Sequence, residues 1–283
     1  MNCPQENKNA RQPSFICLMY HNVPGDAGRF AGLGASITSY FVEKQRFASQ
    51  MSELLAYGGR FLEIERFQSF FSASAKDEEF SWAQGCPILL SFDDGWEDSV
   101  EAAGPILEAH QGQAYLFVTT QFIGRPFFVD RRQLQNLPKA QFRLGSHGQT
   151  HRLLSLLTEP EIRTELQNSK ALLEDISGST IDSLSVPGGA VDHRVRRIAR
   201  EVGYRFLFTS EIHINTRRTS PLAIGRLAIK HNTSSAALKR FVQQRISKEW
   251  ISRSLLGGPK RLLGLARYEK LRRYLLGQSQ LYP

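Results

Sequence analysis

The chain has 283 residues, of which 41% are hydrophobic and 22% are charged, which is typical of a globular protein with a sizeable core. The 18 Phe residues and the modest 22 Gly and 12 Pro residues exclude a disordered, collagen-like or low-complexity chain. Three cysteines without a CxxC pair predict neither a disulfide framework nor a cysteine-based zinc site, so we expect a reducing compartment.

The net charge of +9 is unevenly distributed along the chain. Residues 230–283 contain 12 Lys or Arg and 2 Glu, whereas the preceding residues are nearly neutral. The polar residues 1–14 lack the basic and then apolar layout of a secretory signal peptide, and no apolar run approaches the roughly 18 residues that cross a bilayer. We therefore expect a soluble, cytoplasmic protein.

The first predicted strand is the apolar run FICLMY at residues 15–20, which stops at the turn-prone His21-Asn22-Val23-Pro24-Gly25. Later runs rich in strand-forming residues have the same character and predict six further strands. They are residues 86–92, 114–119, 142–146, 183–186, 204–209 and 223–229.

Helical patterns separate these strands, and they cover residues 38–57, 100–110, 158–176 and 192–202. The third begins with Thr158 as a capping residue and Glu161 three positions later. Apolar strands that alternate with helices predict a parallel sheet covered by helices, either a barrel or a doubly wound sheet. In both folds the reactive residues collect at the carboxyl ends of the strands.

Several predicted strands end in side chains that can carry chemistry. Asp93 and Asp94 follow the second strand, His147 and His151 follow the fourth, and His21 follows the first. Adjacent buried carboxylates need a compensating positive charge, which a metal ion would supply. Two histidines and one carboxylate can hold such an ion and leave coordination positions on it open for water and substrate. Taken singly, Asp-Asp-Gly is also a common turn and HxxxH also occurs by chance in helices.

Six segments together resemble the polysaccharide deacetylases with the NodB homology domain, carbohydrate esterase family 4. The resemblance covers about residues 15–238. It implies an α/β fold, an irregular (β/α)7-type barrel of about seven strands with outer helices. The six segments are LMYHNV at 18–23, LLSFDDGWEDS at 89–99, LGSHGQTHRLLSLL at 144–157, LSVPGGAVDHRV at 184–195, AREVGYRFLFTS at 199–210 and IGRLAI at 224–229.

The resemblance also implies roles for individual residues. Asp93 matches the family's general base, while Asp94, His147 and His151 match the ligands of one divalent metal ion, for which zinc is the default and cobalt or nickel also fit. The backbone N–H of Gly188, after Pro187, matches a donor to the oxyanion of the tetrahedral intermediate.

The sequence departs from the family pattern at three positions. Gly188 stands where the family usually has an aromatic residue, which predicts an enlarged cleft around Gly188 and Gly189. Gly148 stands where the family has Ser or Thr. The arginine that orients the base is absent near Asp182, and we expect Arg226 to replace it.

Two histidines are candidates for the general acid that protonates the leaving amine. Tyr20-His21 matches the Tyr-His motif of the branch that contains poly-N-acetylglucosamine deacetylases, whereas His231 echoes a late Leu-x-His motif of other members. We favour His21, because it follows a buried strand and is expected to face the metal end of the barrel.

The resemblance implies a metal-dependent hydrolase that removes the N-acetyl group of a 2-acetamido sugar in a glycan or glycan precursor. The alternatives are a catalytically silent glycan-binding domain, and a deacylase of O-acetyl esters or of other non-peptide C–N bonds. We expect an N-acetylated saccharide as partner and no nucleic acid.

The predicted organisation is a polar arm at 1–14, the deacetylase-like domain at 15–238 and a basic, helical extension at 239–283. The basic tail predicts peripheral contact with the inner face of a membrane, because each Lys or Arg near an anionic leaflet contributes roughly 1 kcal/mol. A tail helix packed on the barrel, or a merely solvated basic surface, is the alternative.

Overall fold

The structure is a computed structural model, and it describes residues 12–72, 80 and 85–247. Most of the predicted polar arm and most of the basic extension lie outside these residues. The predicted tail helix and its membrane contact therefore stay predictions, as does the cytoplasmic location. Within the described part of the chain, no helix has both the length and the apolar character that crossing a bilayer requires.

Strands and helices alternate along the chain, as the sequence predicted. The strands are β1 Ser14–Tyr20, β2 Gly59–Phe61, β3 Cys86–Phe92, β4 Ala114–Val118, β5 Phe142–Ser146, β6 Ser183–Ser185, β7 Phe206–Phe208, β8 Asn215–Thr216 and β9 Leu227–Ala228. The helices are α1 Ala35–Thr38, α2 Lys44–Ala56, α3 Ile64–Phe70, α4 Asp98–Glu101, α5 Ala103–Ala109, α6 Arg131–Gln135, α7 Glu159–Ser177, α8 His193–Val202 and α9 Ser235–Val242.

The strands form one sheet in the order β7-β6-β5-β4-β3-β1-β8, with β2 on β3 and β9 on β1. All pairs are parallel except β1 with β8. Ile224 bridges Phe208 at the β7 edge, and four residues later Ala228 pairs with Met19 of β1. This short segment joins the two edges of the sheet, so the sheet closes into an irregular barrel and the predicted fold class is confirmed.

The two faces of the sheet bury different cores, because successive side chains of a strand point to opposite faces. The outer face packs against the helices through residues such as Ile88 and Leu90. The inner face is rich in aromatic side chains, which pack with α3 into a second cluster. This inner cluster includes Phe15, Tyr115, Phe117, Phe206, Phe208 and Phe67.

The structure corrects two predicted boundaries. The helix predicted from residue 38 begins at Lys44, because the Val42 N–H donates to the Asn22 carbonyl and holds residues 39–43 out of the helix. The strand predicted over 223–229 is reduced to β9, since the Arg226 N–H donates to the Glu211 carbonyl in a neighbouring loop. Helix α9 spans the predicted domain boundary at 238, and that boundary stays a prediction.

Candidate metal centre and active site

The candidate site lies at the carboxyl end of the barrel interior. Strand alternation places Asp93 on the same face of its strand as Leu89, which belongs to the inner aromatic cluster. The same period of two places His21 with Phe15 and Cys17 of β1. The sequence therefore brings His21 and Asp93 to one end of the barrel, although they are far apart in the chain.

Asp94, His147 and His151 form a compact group of three ligand atoms. Oδ1 of Asp94 lies 3.3 Å from Nε2 of His147 and 3.3 Å from Nε2 of His151. Asp94 and His147 are buried, and His151 is half-buried, so the group is reached from one side. Within the described residues, these are the side chains that can hold a metal ion together.

The geometry of this group fits a divalent transition-metal ion. Ligands about 2.1 Å from a tetrahedral ion lie about 3.4 Å from one another, close to the two observed separations. Nδ1 of His147 lies 2.7 Å from the carbonyl oxygen of Ser185, so Nδ1 carries the proton and Nε2 presents its lone pair to the site. The mixed nitrogen and oxygen ligand set is typical of zinc and also suits cobalt or nickel.

The backbone turns sharply at Asp94. Its φ is +78° and that of Gly95 is +88°, so the chain leaves the strand in two consecutive left-handed residues. A Cβ on Gly95 would lie 3.1 Å from Cγ1 of Val118, which leaves little room for a side chain. Trp96 Nε1 then donates to Oδ2 of Asp94 at 3.0 Å, which leaves Oδ1 directed at the two histidines.

Asp93 is buried in a different environment, against the Arg226 guanidinium. Nη1 of Arg226 donates to Oδ1 at 2.8 Å and Nη2 donates to Oδ2 at 2.9 Å, a bidentate pair. Ser185 Oγ donates to Oδ2 at 3.0 Å. Burial alone would raise the pKa of Asp93, but the charge and hydrogen bonds of Arg226, together with the charges of His147 and His21, outweigh burial and lower this pKa below its usual value.

A hydrogen bond and two ring contacts hold the Arg226 side chain in place. Its Nε donates to the Thr209 carbonyl at 2.9 Å, and its guanidinium lies 6.0 Å above the ring centroids of Phe117 and Phe208. The structure thus brings Arg226 to the position expected from the sequence, beside Asp93. The ion pair of Arg226 with Asp93 therefore packs against rings of the inner aromatic cluster.

His21 faces the same end of the barrel. Burial lowers the pKa of its imidazole, and the charges of Asp94 and Asp93 act in the opposite direction, which places both carboxylates in its electrostatic neighbourhood. Its ring packs on Tyr40 with 4.6 Å between centroids, and the Lys230 ammonium lies 4.9 Å from the centroid of the Tyr40 ring.

His231 lies elsewhere, on an exposed groove of about 530 Å³. The groove lining includes Pro24, Phe41 and Arg46 but neither His21 nor the aspartates. The structure therefore groups His21, and not His231, with the metal-ligand candidates.

The enlarged cleft at Gly188 stays a prediction, and the structure shows that a leucine side chain occupies the space directly beside this glycine. A Cβ on Gly188 would lie 2.4 Å from Cδ2 of Leu153, so the leucine side chain fills the space beside the glycine. Gly188 has a φ of +64° and is exposed, directly after the buried Pro187. Gly189 is packed as tightly, because its Cβ would lie 2.0 Å from Oγ of Ser210.

Two residues of the site were missed from the sequence. Trp96 positions Asp94, and Ser185 contacts both Asp93 and His147. The available signal for Ser185 was its place two residues after Ser183 in a short strand, at the same end as the other site residues. No local pattern indicated Trp96.

The comparisons with known proteins point to polysaccharide deacetylases. Residues 84–207 match the sequence profile of the family described as polysaccharide deacetylase. The candidate polysaccharide deacetylase YxkH of Bacillus subtilis (strain 168) is 24% identical over 236 residues, which are 83% of this chain and 78% of that protein. A poly-beta-1,6-N-acetyl-D-glucosamine N-deacetylase of Staphylococcus aureus (strain MRSA252) is 21% identical over 258 residues, covering 84% of this chain and 86% of that protein.

Two solved structures share the fold. The Streptococcus pyogenes deacetylase PplD, in complex with acetate, superposes with a TM-score of 0.68 at 20% identity, over 83% of this chain and 99% of that one. IcaB from Ammonifex degensii superposes with a TM-score of 0.69 at 19% identity, over 82% of this chain and 98% of that one. The family profile and the relatives confirm the resemblance stated from the sequence, and the two solved structures confirm its fold.

Proposed function

We propose that this chain is a metal-dependent polysaccharide deacetylase that hydrolyses the N-acetyl group of a 2-acetamido sugar in a glycan or glycan precursor, and the match of residues 84–207 to the family profile supports this. One observation carries the proposal. An Asp-His-His ligand set with 3.3 Å separations lies next to a second carboxylate that an arginine holds ionised.

Asp94, His147 and His151 are the residues that would hold the metal ion. A bound divalent ion supplies Lewis acidity, which lowers the pKa of water and polarises an acyl oxygen. The carbonyl of Ser185 keeps Nε2 of His147 free for this purpose.

Asp93 is assigned the general base. Its lowered pKa keeps it ionised at neutral pH, so it can accept the proton of the attacking water while the new C–O bond forms. The bidentate contact with Arg226 and the hydroxyl of Ser185 fix the direction of the carboxylate. Arg226 is assigned a positioning role, because it acts through Asp93.

His21 is assigned the general acid. The acetamido C–N bond breaks when the nitrogen receives a proton, and the products are acetate and a free amine. A proton on the His21 imidazole balances the one that Asp93 takes from water. Gly188 is assigned a backbone donor to the developing oxyanion, since it is exposed directly after Pro187 at the end of β6.

The similarity to the poly-beta-1,6-N-acetyl-D-glucosamine N-deacetylase of Staphylococcus aureus supports a polymer of N-acetylglucosamine as the substrate class. The Tyr20-His21 pair supports placement in the Tyr-His branch of the family. The rival is a silent glycan-binding domain with an enlarged cleft around Gly188 and Gly189, and the complete set of metal-ligand candidates beside Asp93 favours the enzyme over it. O-acetyl esters remain the alternative substrate, because the same residues would hydrolyse them without needing a strong acid.

The test is acetate release from matched N-acetylated and O-acetylated saccharides by the zinc- or cobalt-loaded protein and by the same protein after chelation. The proposal predicts acetate from N-acetylglucosamine oligomers that stops on chelation and returns with metal. Release from the O-acetylated saccharides alone would move the assignment to an esterase. Saccharide binding without any acetate would favour the silent domain.

A further inference from the structure

Glu165 is a buried carboxylate outside the ligand set described above. It lies on α7 with 5% of its surface exposed, and no Lys or Arg among the described residues forms an ion pair with it. A buried carboxylate is costly unless hydrogen-bond donors compensate it. Its surroundings therefore have to supply those donors.

Among the described residues, three donors reach the Glu165 carboxylate, and all three belong to one loop. The N–H groups of Gln149 and Thr150 each donate to Oε2 at 2.9 Å, and Oγ1 of Thr150 donates to Oε1 at 2.5 Å. This loop joins His147 to His151, two of the three residues that the proposed metal site requires.

The loop adopts a backbone that needs outside support. The φ of Gly148 is +77° and that of His151 is +63°, and a left-handed histidine is unfavourable unless its surroundings impose it. From the opposite side, the N–H groups of Thr120 and Gln121 donate to the carbonyls of Gly148 and Gln149. The loop is thus held between the residues after β4 and the carboxylate on α7.

We propose that Glu165 is a positioning residue for the metal site, which holds the 148–151 loop so that Nε2 of His151 stays opposite Asp94 and His147. The proposal rests on the metal-binding function proposed above. It assigns Glu165 no contact with metal or substrate. Its effect is to reduce the reorganisation that metal binding would otherwise require of the loop.

The experiment measures zinc affinity by competition with a chromophoric chelator, together with the visible spectrum of the cobalt-loaded full chain. In Glu165→Met the loop donors lose their acceptor, and zinc affinity is expected to fall about 10- to 100-fold, the usual cost of losing an outer contact of a metal ligand. Glu165→Gln keeps one acceptor oxygen, so it is expected to recover most of the affinity.

The matched control is Glu174→Met, on the same helix. Glu174 accepts hydrogen bonds from the Ile181 N–H at 3.0 Å and from the Lys170 ammonium at 2.9 Å, away from the metal-ligand loop. This variant is expected to lower thermal stability while leaving zinc affinity and the cobalt spectrum unchanged. If Glu165→Met does not fold, Thr150→Val removes one donor and is expected to weaken zinc binding several-fold.

Two failures are distinguishable. Wild-type protein that binds no zinc or cobalt overturns the metal site and the role of Glu165 together. Wild-type protein that binds one ion, with Glu165→Met or Thr150→Val binding it as tightly and with the same cobalt spectrum, overturns the role of Glu165 alone.

Discussion

Asp93 and Asp94 are neighbours in the sequence and are both buried, yet they meet opposite surroundings. Asp93 continues the alternation of β3 and points into the barrel, where Arg226 supplies a full positive charge at 2.8 and 2.9 Å. Asp94 turns away in a left-handed conformation and meets the ring nitrogens of His147 and His151 at 3.3 Å.

This contrast explains how two adjacent carboxylates can do different chemistry. The charge of Asp93 is balanced by the chain itself, so the residue has little to gain from a cation. Asp94 is surrounded by groups that bind a cation when they are neutral, so its charge is available to a metal ion. One residue of backbone rotation separates the proposed base, Asp93, from the proposed metal ligand, Asp94.

The largest effect on activity is expected from removing a histidine that contacts Asp94. His147→Ala removes one nitrogen ligand and is expected to abolish both stoichiometric zinc binding and acetate release, as measured by elemental analysis and an acetate assay. His110→Ala is the control, since His110 contacts Ser52 on the surface. Retention of one bound zinc in His147→Ala would contradict the ligand assignment.

Replacing the Asp93 carboxylate should lower the catalytic activity. Asp93→Asn keeps the shape but cannot accept the proton of water, so kcat is expected to fall about 10²- to 10⁴-fold, the usual contribution of a general base. Activity is measured on an N-acetylglucosamine oligomer with the metal-saturated variant. Full activity in Asp93→Asn would exclude this residue as the base.

The two candidate acids can be separated by their pH profiles. His21→Ala is expected to lose about 10² to 10⁴ in rate together with the alkaline limb of kcat/KM, whereas His231→Ala leaves both nearly intact. Burial lowers the pKa of His21, and a general acid loses its proton as pH rises. The alkaline limb of the wild-type kcat/KM profile should therefore begin at a pH below the ordinary pKa of histidine. The reverse pattern in the two variants would transfer the role to His231.

A conservative substitution of Arg226 tests how its side chain controls the ionisation of Asp93. Arg226→Lys weakens the interaction that lowers the pKa of Asp93, so that pKa should rise and the acid limb of kcat/KM should move to higher pH. At pH 7 the rate should change less than about tenfold, because an aspartate with an ordinary pKa is still ionised there. Arg205→Lys, at an exposed arginine, is the control. An acid limb that stays in place would separate Arg226 from the ionisation of Asp93.

Much of the fold could be predicted because its strands are short apolar runs that end in polar residues. The runs at 86–92 and 142–146 coincide with β3 and β5. Strand β2 and helix α3 were missed, because β2 has three residues and α3 is defined by packing against the inner aromatic cluster. Tertiary contacts override local propensity in such short elements.

Some residues of the candidate site could likewise be predicted from the sequence, and others could not. Asp94, His147 and His151 could be found from the sequence because each follows a strand directly or within a few residues. The contact between Ser185 and Asp93 spans 92 positions in the chain and arises only when the sheet closes. The filling of the Gly188 space by Leu153 was unpredictable for the same reason, since it depends on how two loops pack.

Asp94 is proposed to bind a metal ion and Asp93 is not, and metal titration of Asp93→Asn and Asp94→Asn beside the wild-type protein separates the two residues. Each is stripped with a chelator, titrated with zinc and analysed for bound metal. We expect one zinc per chain in the wild type and in Asp93→Asn, and a much weakened site in Asp94→Asn. Equal loss of zinc in both variants, or loss in Asp93→Asn alone, would contradict this proposal.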